Sequence, residues 1–422
     1  MLHRRSLLGW LASSGAAAAA TGADVIARGA GAGAEAIAPA ASAGAAAAPA
    51  VAPLRFPADF GAHPGSRTEW WYVTGSLQAG ARLWGFQVTF FRVSTGVREA
   101  TAGAVAAASA PASRFVPSQL LFAHAAVTDL ERRRLRHDQR IARAGFGIAQ
   151  ARVGDTAVTL RDWHFERSAR PDAGTGTGTG TGARTATAAD TSGSAAPAAG
   201  SRYRTHVGSD RAGFMLDLQF DTTQPLLLQG EAGLSRKGPG RDDTSRYYSQ
   251  PQLAATGTLA LDGQAAAAVQ GRAWLDHEWS DAFVPAGAIG WDWIGMNLDD
   301  GSALTAFRLR RADGGAVYAG GSWRRAGEPV PRSFGPGEVS FTPGRIWASP
   351  DSRARYPVQW VVDTPAGRFG VNALLDDQEL DSRGSTGAIY WEGLSDLVDA
   401  RSGARLGRGY LEMTGYAAAL RL

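Results

Sequence analysis

Apolar residues in this chain recur with a period of two, or in short unbroken runs, through most of its length. Such runs cover residues 69–77, 81–93, 121–130, 214–220, 257–261, 271–279, 290–298, 303–310, 316–323, 358–364 and 367–374. Side chains of an extended chain point alternately to its two faces, so this pattern predicts strands. Tight-turn dipeptides fall between several runs: Asp262-Gly263, Asp300-Gly301 and Asp313-Gly314. The stretch 290–323 therefore reads as a three-stranded antiparallel meander. No long run carries the helical period. Many short strands at regular spacing predict an all-β chain built of antiparallel barrels or sandwiches.

Two stretches break the pattern. Residues 1–50 begin Met1-Leu2-His3-Arg4-Arg5-Ser6-Leu7-Leu8-Gly9-Trp10 and continue in Ala, Gly and Pro. An arginine pair before a short apolar stretch has the form of a twin-arginine export signal, which implies a periplasmic or secreted address. The apolar stretch is shorter than the ~20 residues a bilayer-spanning helix needs. Residues 172–200 are Gly-Thr repeats and an Ala/Ser/Thr/Gly tract between strand-like segments, expected to be a disordered loop insertion. With 422 residues there is room for two domains. The expected division is 51–265 and 266–422, with no evident internal repeat.

Composition narrows the chemistry. The chain has no cysteine, so disulfides, thiolate nucleophiles and cysteine-bound zinc are excluded. The net charge of +4 comes from arginines scattered among acids. Only Glu131-Arg132-Arg133-Arg134-Leu135-Arg136 clusters, and no basic-aromatic stripe or nucleic-acid module is present, so nucleic acid is not an expected partner. Lys237 is the only lysine. In a chain that uses arginine everywhere else, it is a candidate for a role that needs a compact ammonium, against the plainer reading of a surface turn.

The richest chemistry lies in Trp274-Leu275-Asp276-His277-Glu278-Trp279-Ser280, followed by Gly290-Trp291-Asp292-Trp293. Alternation puts Asp276 and Glu278 on one face, roughly 6–7 Å apart, and His277 and Trp279 on the other. Between apolar rings, one such carboxyl should hold a proton at neutral pH. A second cluster opens with His63-Pro64 and continues Thr68-Glu69-Trp70-Trp71-Tyr72. There Glu69 and Trp71 share one face, Trp70 and Tyr72 the other. Phe122-Ala123-His124-Ala125 sets a histidine in an apolar strand, either a satisfied core group or part of the site.

Glu69-Trp70-Trp71-Tyr72, Phe122-Ala123-His124-Ala125, Gly233-Leu234-Ser235-Arg236-Lys237-Gly238, Tyr247-Tyr248-Ser249 and Asp276-His277-Glu278-Trp279 occur in that order. Their series resembles the AttH-like family of predicted secreted hydrolases, which also includes the carotenoid 1,2-hydratases (hydroxyneurosporene synthases). The resemblance spans about residues 55–420 and implies two tandem lipocalin-like β-barrel domains with an apolar or amphiphilic ligand. The carotenoid branch has an uncharged residue at the Glu278 position, which places this chain nearer the secreted branch.

The leading expectation is acid-catalysed hydration of an isolated C=C bond in an isoprenoid- or lipid-like substrate, without cofactor or metal. Asp276, Glu278 or Asp292 would supply the proton, desolvated by Trp274, Trp291 or Trp293. Indole faces would stabilise the carbocation, and His277 or a second carboxylate would orient water. Glu69, Trp70, Trp71, Tyr72, His124, Lys237, Tyr248, Trp279, Trp291 and Trp293 are the expected substrate-binding residues. An apolar ligand also allows peripheral contact with a membrane. The rivals are a carrier that leaves its ligand unaltered and a secreted hydrolase. No Gly-x-Ser-x-Gly elbow is present, although paired carboxyls suit glycoside hydrolysis. A metal held by His63, His124 or His277 with Glu69 or Glu278 is a minor alternative.

Overall fold

The alternation is expressed as strands. The computed structural model describes residues 52–97, 116–170 and 200–420, so the leader and nearly all of the 172–200 tract lie outside the described residues. Apart from one short 3-10 turn, Ala58–Phe60, the secondary structure among them is β. No helix among them is long and apolar enough to cross a membrane.

Two large antiparallel sheets carry the fold. The first runs, neighbour to neighbour, through Arg134–Arg143, Gln119–Asp129, Arg82–Ser94, Thr68–Ala79, Ala267–Ser280, Thr244–Leu261, Phe214–Asp221, Ser201–Ser209, Trp163–Ala169, Ala157–Leu160 and Ala149–Ala151. A bridge between Gly145 and Ala149 brings its two ends together, so it comes close to a closed barrel. Trp71, Phe86, Val88, Phe90, Trp163 and Phe220 help fill its interior. The second sheet is centred on Gly290–Leu298, Arg405–Met413 and Ala388–Asp399. It contains the expected meander: Gly290–Leu298, Ala303–Arg310 and Ala316–Arg324 pair in sequence.

The expected boundary at 265 needs correcting at the level of the sheets. It falls in the turn of a hairpin whose strands, Thr244–Leu261 and Ala267–Ser280, both belong to the first sheet. The chain changes sheets between 281 and 289. The physical reason is visible in the residues: Ala267–Ser280 must also pair with Thr68–Ala79, in the register Glu69 to Trp279, Trp71 to His277 and Tyr72 to Asp276. These two strands are buried on both faces, the inner against the barrel core and the outer against the second sheet, which is why aromatic and acidic residues fill both of their parities.

The described residues from 52 to 420 pack as one unit. Between the sheets lies an aromatic cluster of Tyr72, Trp274, Trp293, Leu394 and Tyr410, rimmed by Trp70 and Trp291. Polar side chains tie the sheets together around it. Gln252 donates through Nε2 to the carbonyls of Leu298 and Ser302, both at 2.9 Å, while its own backbone N–H donates to Asn297 Oδ1 at 2.7 Å. Gln252 has a φ of +57° at a bulge in its strand, a conformation stabilised by those three bonds.

Candidate active site between the sheets

Asp276 is buried on the outer face of the first sheet and points into the seam between the sheets. Three donors converge on its carboxyl: Tyr247 Oη to Oδ2 at 2.8 Å, and Ser249 Oγ and Trp274 Nε1 to Oδ1 at 2.5 and 2.7 Å. The pairing register explains the convergence, since Ser249 lies opposite Asp276 and Tyr247 opposite Glu278, so their side chains rise on the same face. Burial pushes the Asp276 pKa from 3.8 up to about 7, with the three donors pulling it down and Glu278 pushing it up.

Glu278 is an ion-pair partner. Lys237 Nζ lies 2.7 Å from its Oε1 and 5.1 Å from the Trp70 ring centroid. The buried ammonium thus balances the second carboxylate of the strand, and Trp70 supports it through its ring face. Toward solvent, Trp70, Phe283 and Trp291 form an edge-to-face series with centroids 6.3 and 5.5 Å apart, its middle ring supplied by the 281–289 connection. Deeper in, Trp293 meets Tyr72 and Trp274 edge-on, and its Nε1 donates to Tyr247 Oη at 3.3 Å. On the other side of Trp274, an open groove of about 460 Å³ runs between the sheets past Arg272, Arg405 and Arg408.

The second sheet adds two carboxyls that sequence reasoning missed. Glu392 and Glu412 are cross-strand partners, and Glu412 is also opposite Trp293. Burial raises both pKa values, with further pressure on Glu392 from Glu412 and on Glu412 from Asp276 and Glu278. Their negative charge adds to burial in raising Tyr72. Three carboxyls, Asp276, Glu392 and Glu412, therefore share one buried, aromatic-lined space and favour retaining protons. The Tyr72 hydroxyl and Glu392 Oε1 are buried without a close hydrogen bond, and the two side chains interact with each other across the seam.

His124 closes the far end of the seam. Its Nδ1 lies 2.8 Å from Tyr390 Oη and its Nε2 2.8 Å from Ser385 Oγ. Burial lowers its pKa to about 3, so it stays neutral.

The remaining expected residues lie elsewhere. His277, Trp279, Glu69, Trp71 and Tyr248 all face the interior of the first barrel. His277 Nε2 is 2.9 Å from Glu69 Oε1 and its Nδ1 is 3.0 Å from Tyr248 Oη. His277 and Asp276 are adjacent in sequence and so face opposite ways, which removes His277 as a base for the seam. Asp292 is also removed: its Oδ2 is 2.6 Å from Arg308 Nε and its Oδ1 accepts from Tyr416 Oη at 2.8 Å. Its parity is opposite to that of Trp291 and Trp293, so it faces the second core and not the seam.

A family model described as AttH-like matches residues 47–416. The chain is similar to a solved AttH protein from Nitrosomonas europaea, with 42% identity, 87% of this chain and 98% of that one covered, and a TM-score of 0.70. It is also similar in fold to kievitone hydratase from Nectria haematococca, with 15% identity, 87% and 94% covered, and a TM-score of 0.59. No curated protein matches. The expected all-β class is the architecture observed, with two large antiparallel sheets, the first of them nearly closed into a barrel.

Proposed function

The chain belongs to the AttH-like family, and from that premise we propose that the seam between its sheets is the active site of a hydratase for an apolar, isoprenoid- or lipid-like small molecule. One observation carries the reading: Asp276 is a wholly buried carboxyl held at about pKa 7 against indole rings. Such a group can be protonated at neutral pH and still give its proton up. The occurrence of a hydratase on the same fold is in keeping with this, as fold-level analogy only.

In the proposed reaction the Asp276 proton adds to the less substituted carbon of a C=C bond, and the π electrons form the new C–H bond. The resulting tertiary cation lies among Trp274, Trp293 and Tyr72, whose ring faces are worth about 2 kcal/mol or more to a desolvated cation. Water adds to the cation and its surplus proton returns to the newly formed Asp276 carboxylate, which restores the acid. Glu278 takes no part, because Lys237 holds it as an ion pair. Export by the twin-arginine route is part of the proposal, and Arg4→Lys with Arg5→Lys should leave the protein in the cytoplasm in a fractionation assay.

The test is mass spectrometry of organic extracts after incubation with acyclic isoprenoids and cell-envelope lipids. A product one water heavier, formed by wild type and not by Asp276→Asn, is the expected result. The same ligand recovered unaltered from both proteins would instead make the seam a carrier site, with Asp276 part of its structural network.

A further inference from the structure

The inner face of the same strand pair holds a second cluster that the proposed hydration does not use. His63 Nδ1 lies 2.8 Å from Glu69 Oε1, and His277 Nε2 lies 2.9 Å from that same oxygen. The three ligand atoms are all within 4.8 Å of one another. We propose that His63, Glu69 and His277 bind a divalent transition ion of the zinc class at the end of the first barrel.

Each ligand's outer atom already has the partner such a site requires. A metal-bound imidazole donates its other N–H to a carboxylate or similar acceptor, which fixes the ring and raises its basicity. His63 Nε2 is 3.2 Å from Asp59 Oδ1, and His277 Nδ1 is 3.0 Å from Tyr248 Oη. Glu69 Oε2 accepts from Arg92 Nε at 2.8 Å and from the His63 backbone N–H at 2.9 Å; that N–H also reaches Oε1 at 3.1 Å, and Oε1 faces the two rings. The rings are braced by aromatics: Trp279 stacks on His63 at 3.6 Å and Trp71 on His277 at 4.7 Å.

Two carboxylates stand against the histidines, Glu69 with Arg92 on its outer oxygen and Asp59 with Arg246 nearby. Two nitrogens and one carboxylate oxygen, with no thiolate, suit zinc with a further position open. His63 keeps 19% of its side chain exposed, which gives a route in. The ion would fasten the segment around Ala58–Phe60, which covers the barrel end, to both Thr68–Ala79 and Ala267–Ser280.

The experiment uses the full chain, stripped by chelation and dialysed, and titrates it with Zn²⁺ by calorimetry and with Cu²⁺ by pulsed electron paramagnetic resonance. One Zn²⁺ per chain and two imidazole nitrogens on the copper are expected. Asp59→Asn, at a partly exposed position, should weaken Zn²⁺ binding roughly 10–100-fold, and His63→Ala should abolish the two-imidazole signal. Substoichiometric zinc, fewer than two imidazoles on the wild-type copper, or wild-type affinity in His63→Ala would each overturn the site. The titration is repeated on a variant with His164→Ala and His206→Ala, which removes the exposed cross-strand histidine pair: the two-imidazole signal should persist, and its loss would overturn the site.

Discussion

Asp276 makes the strongest demand at the scale of single residues. Its raised pKa means that the folded protein binds a proton the unfolded chain releases near pH 4. Stability from this group is therefore fully present below about pH 4 and is lost as pH rises to about 7. At about 1.4 kcal/mol for each pH unit, the loss is on the order of 4 kcal/mol. Asp276→Asn has no such proton, so the stability of wild type relative to the variant should fall by that amount between pH 4 and 8 in urea titrations. A pH-independent difference would show that the carboxyl is not desolvated. Turnover should fall about 10²–10⁴-fold in the same variant, the range for loss of a general acid, and wild-type turnover should decline above about pH 7 as the acid ionises. The sequence made Asp276 legible because carboxyls between tryptophans are rare. It misled at Asp292, where the Trp-Asp-Trp spelling drew attention away from parity: a residue between two seam tryptophans must face away from the seam. The same parity sets Tyr247 beside Asp276 and turns Tyr248 inward.

At the scale of elements, close approach of strands is as important as the side chains they carry. A Cβ on Gly409 would lie 1.9 Å from the Gly295 carbonyl oxygen, across the pairing of Gly290–Leu298 with Arg405–Met413. Gly409→Ala should thus push apart the two strands that hold Trp293 and Glu412, with a loss of about 1–3 kcal/mol, the usual range for overpacking. An unchanged melting temperature would mean that the strands can part freely there. Eleven of the described strands before residue 380 were legible from their alternation or turn signals, whereas Arg134–Arg143 and most of the short strands were not. Ala388–Asp399 and Arg405–Met413 were not, because glycine, serine, arginine and acid residues interrupt their apolar positions. Those interruptions are functional in the fold: Glu392 and Glu412 enter the seam, and the glycines allow the strands to approach. No local signal linked them to Asp276, since the contact depends on how two distant sheets pack.

Taken whole, the molecule buries a large set of polar groups between its sheets. Separating the sheets would bring Glu392, Glu412, Asp276, Tyr72 and the carbonyls held by Gln252 to water. The two halves should accordingly unfold together, giving one calorimetric transition whose van't Hoff and calorimetric enthalpies agree. Two resolved transitions would make the halves independent domains and the seam a loose contact. The same packing explains why the sequence alone did not locate the junction between the sheets.

One further consequence follows from the strand Ala267–Ser280, whose two sides serve different ends. Asp276 faces the seam and His277 the barrel, one residue apart. Losing or gaining a single residue within this stretch would exchange the two sets, delivering imidazole to the seam and carboxylate to the barrel core. Natural length variation should be absent from this segment, however freely it occurs in the surrounding loops. An engineered one-residue deletion there should be more damaging than any single substitution it resembles.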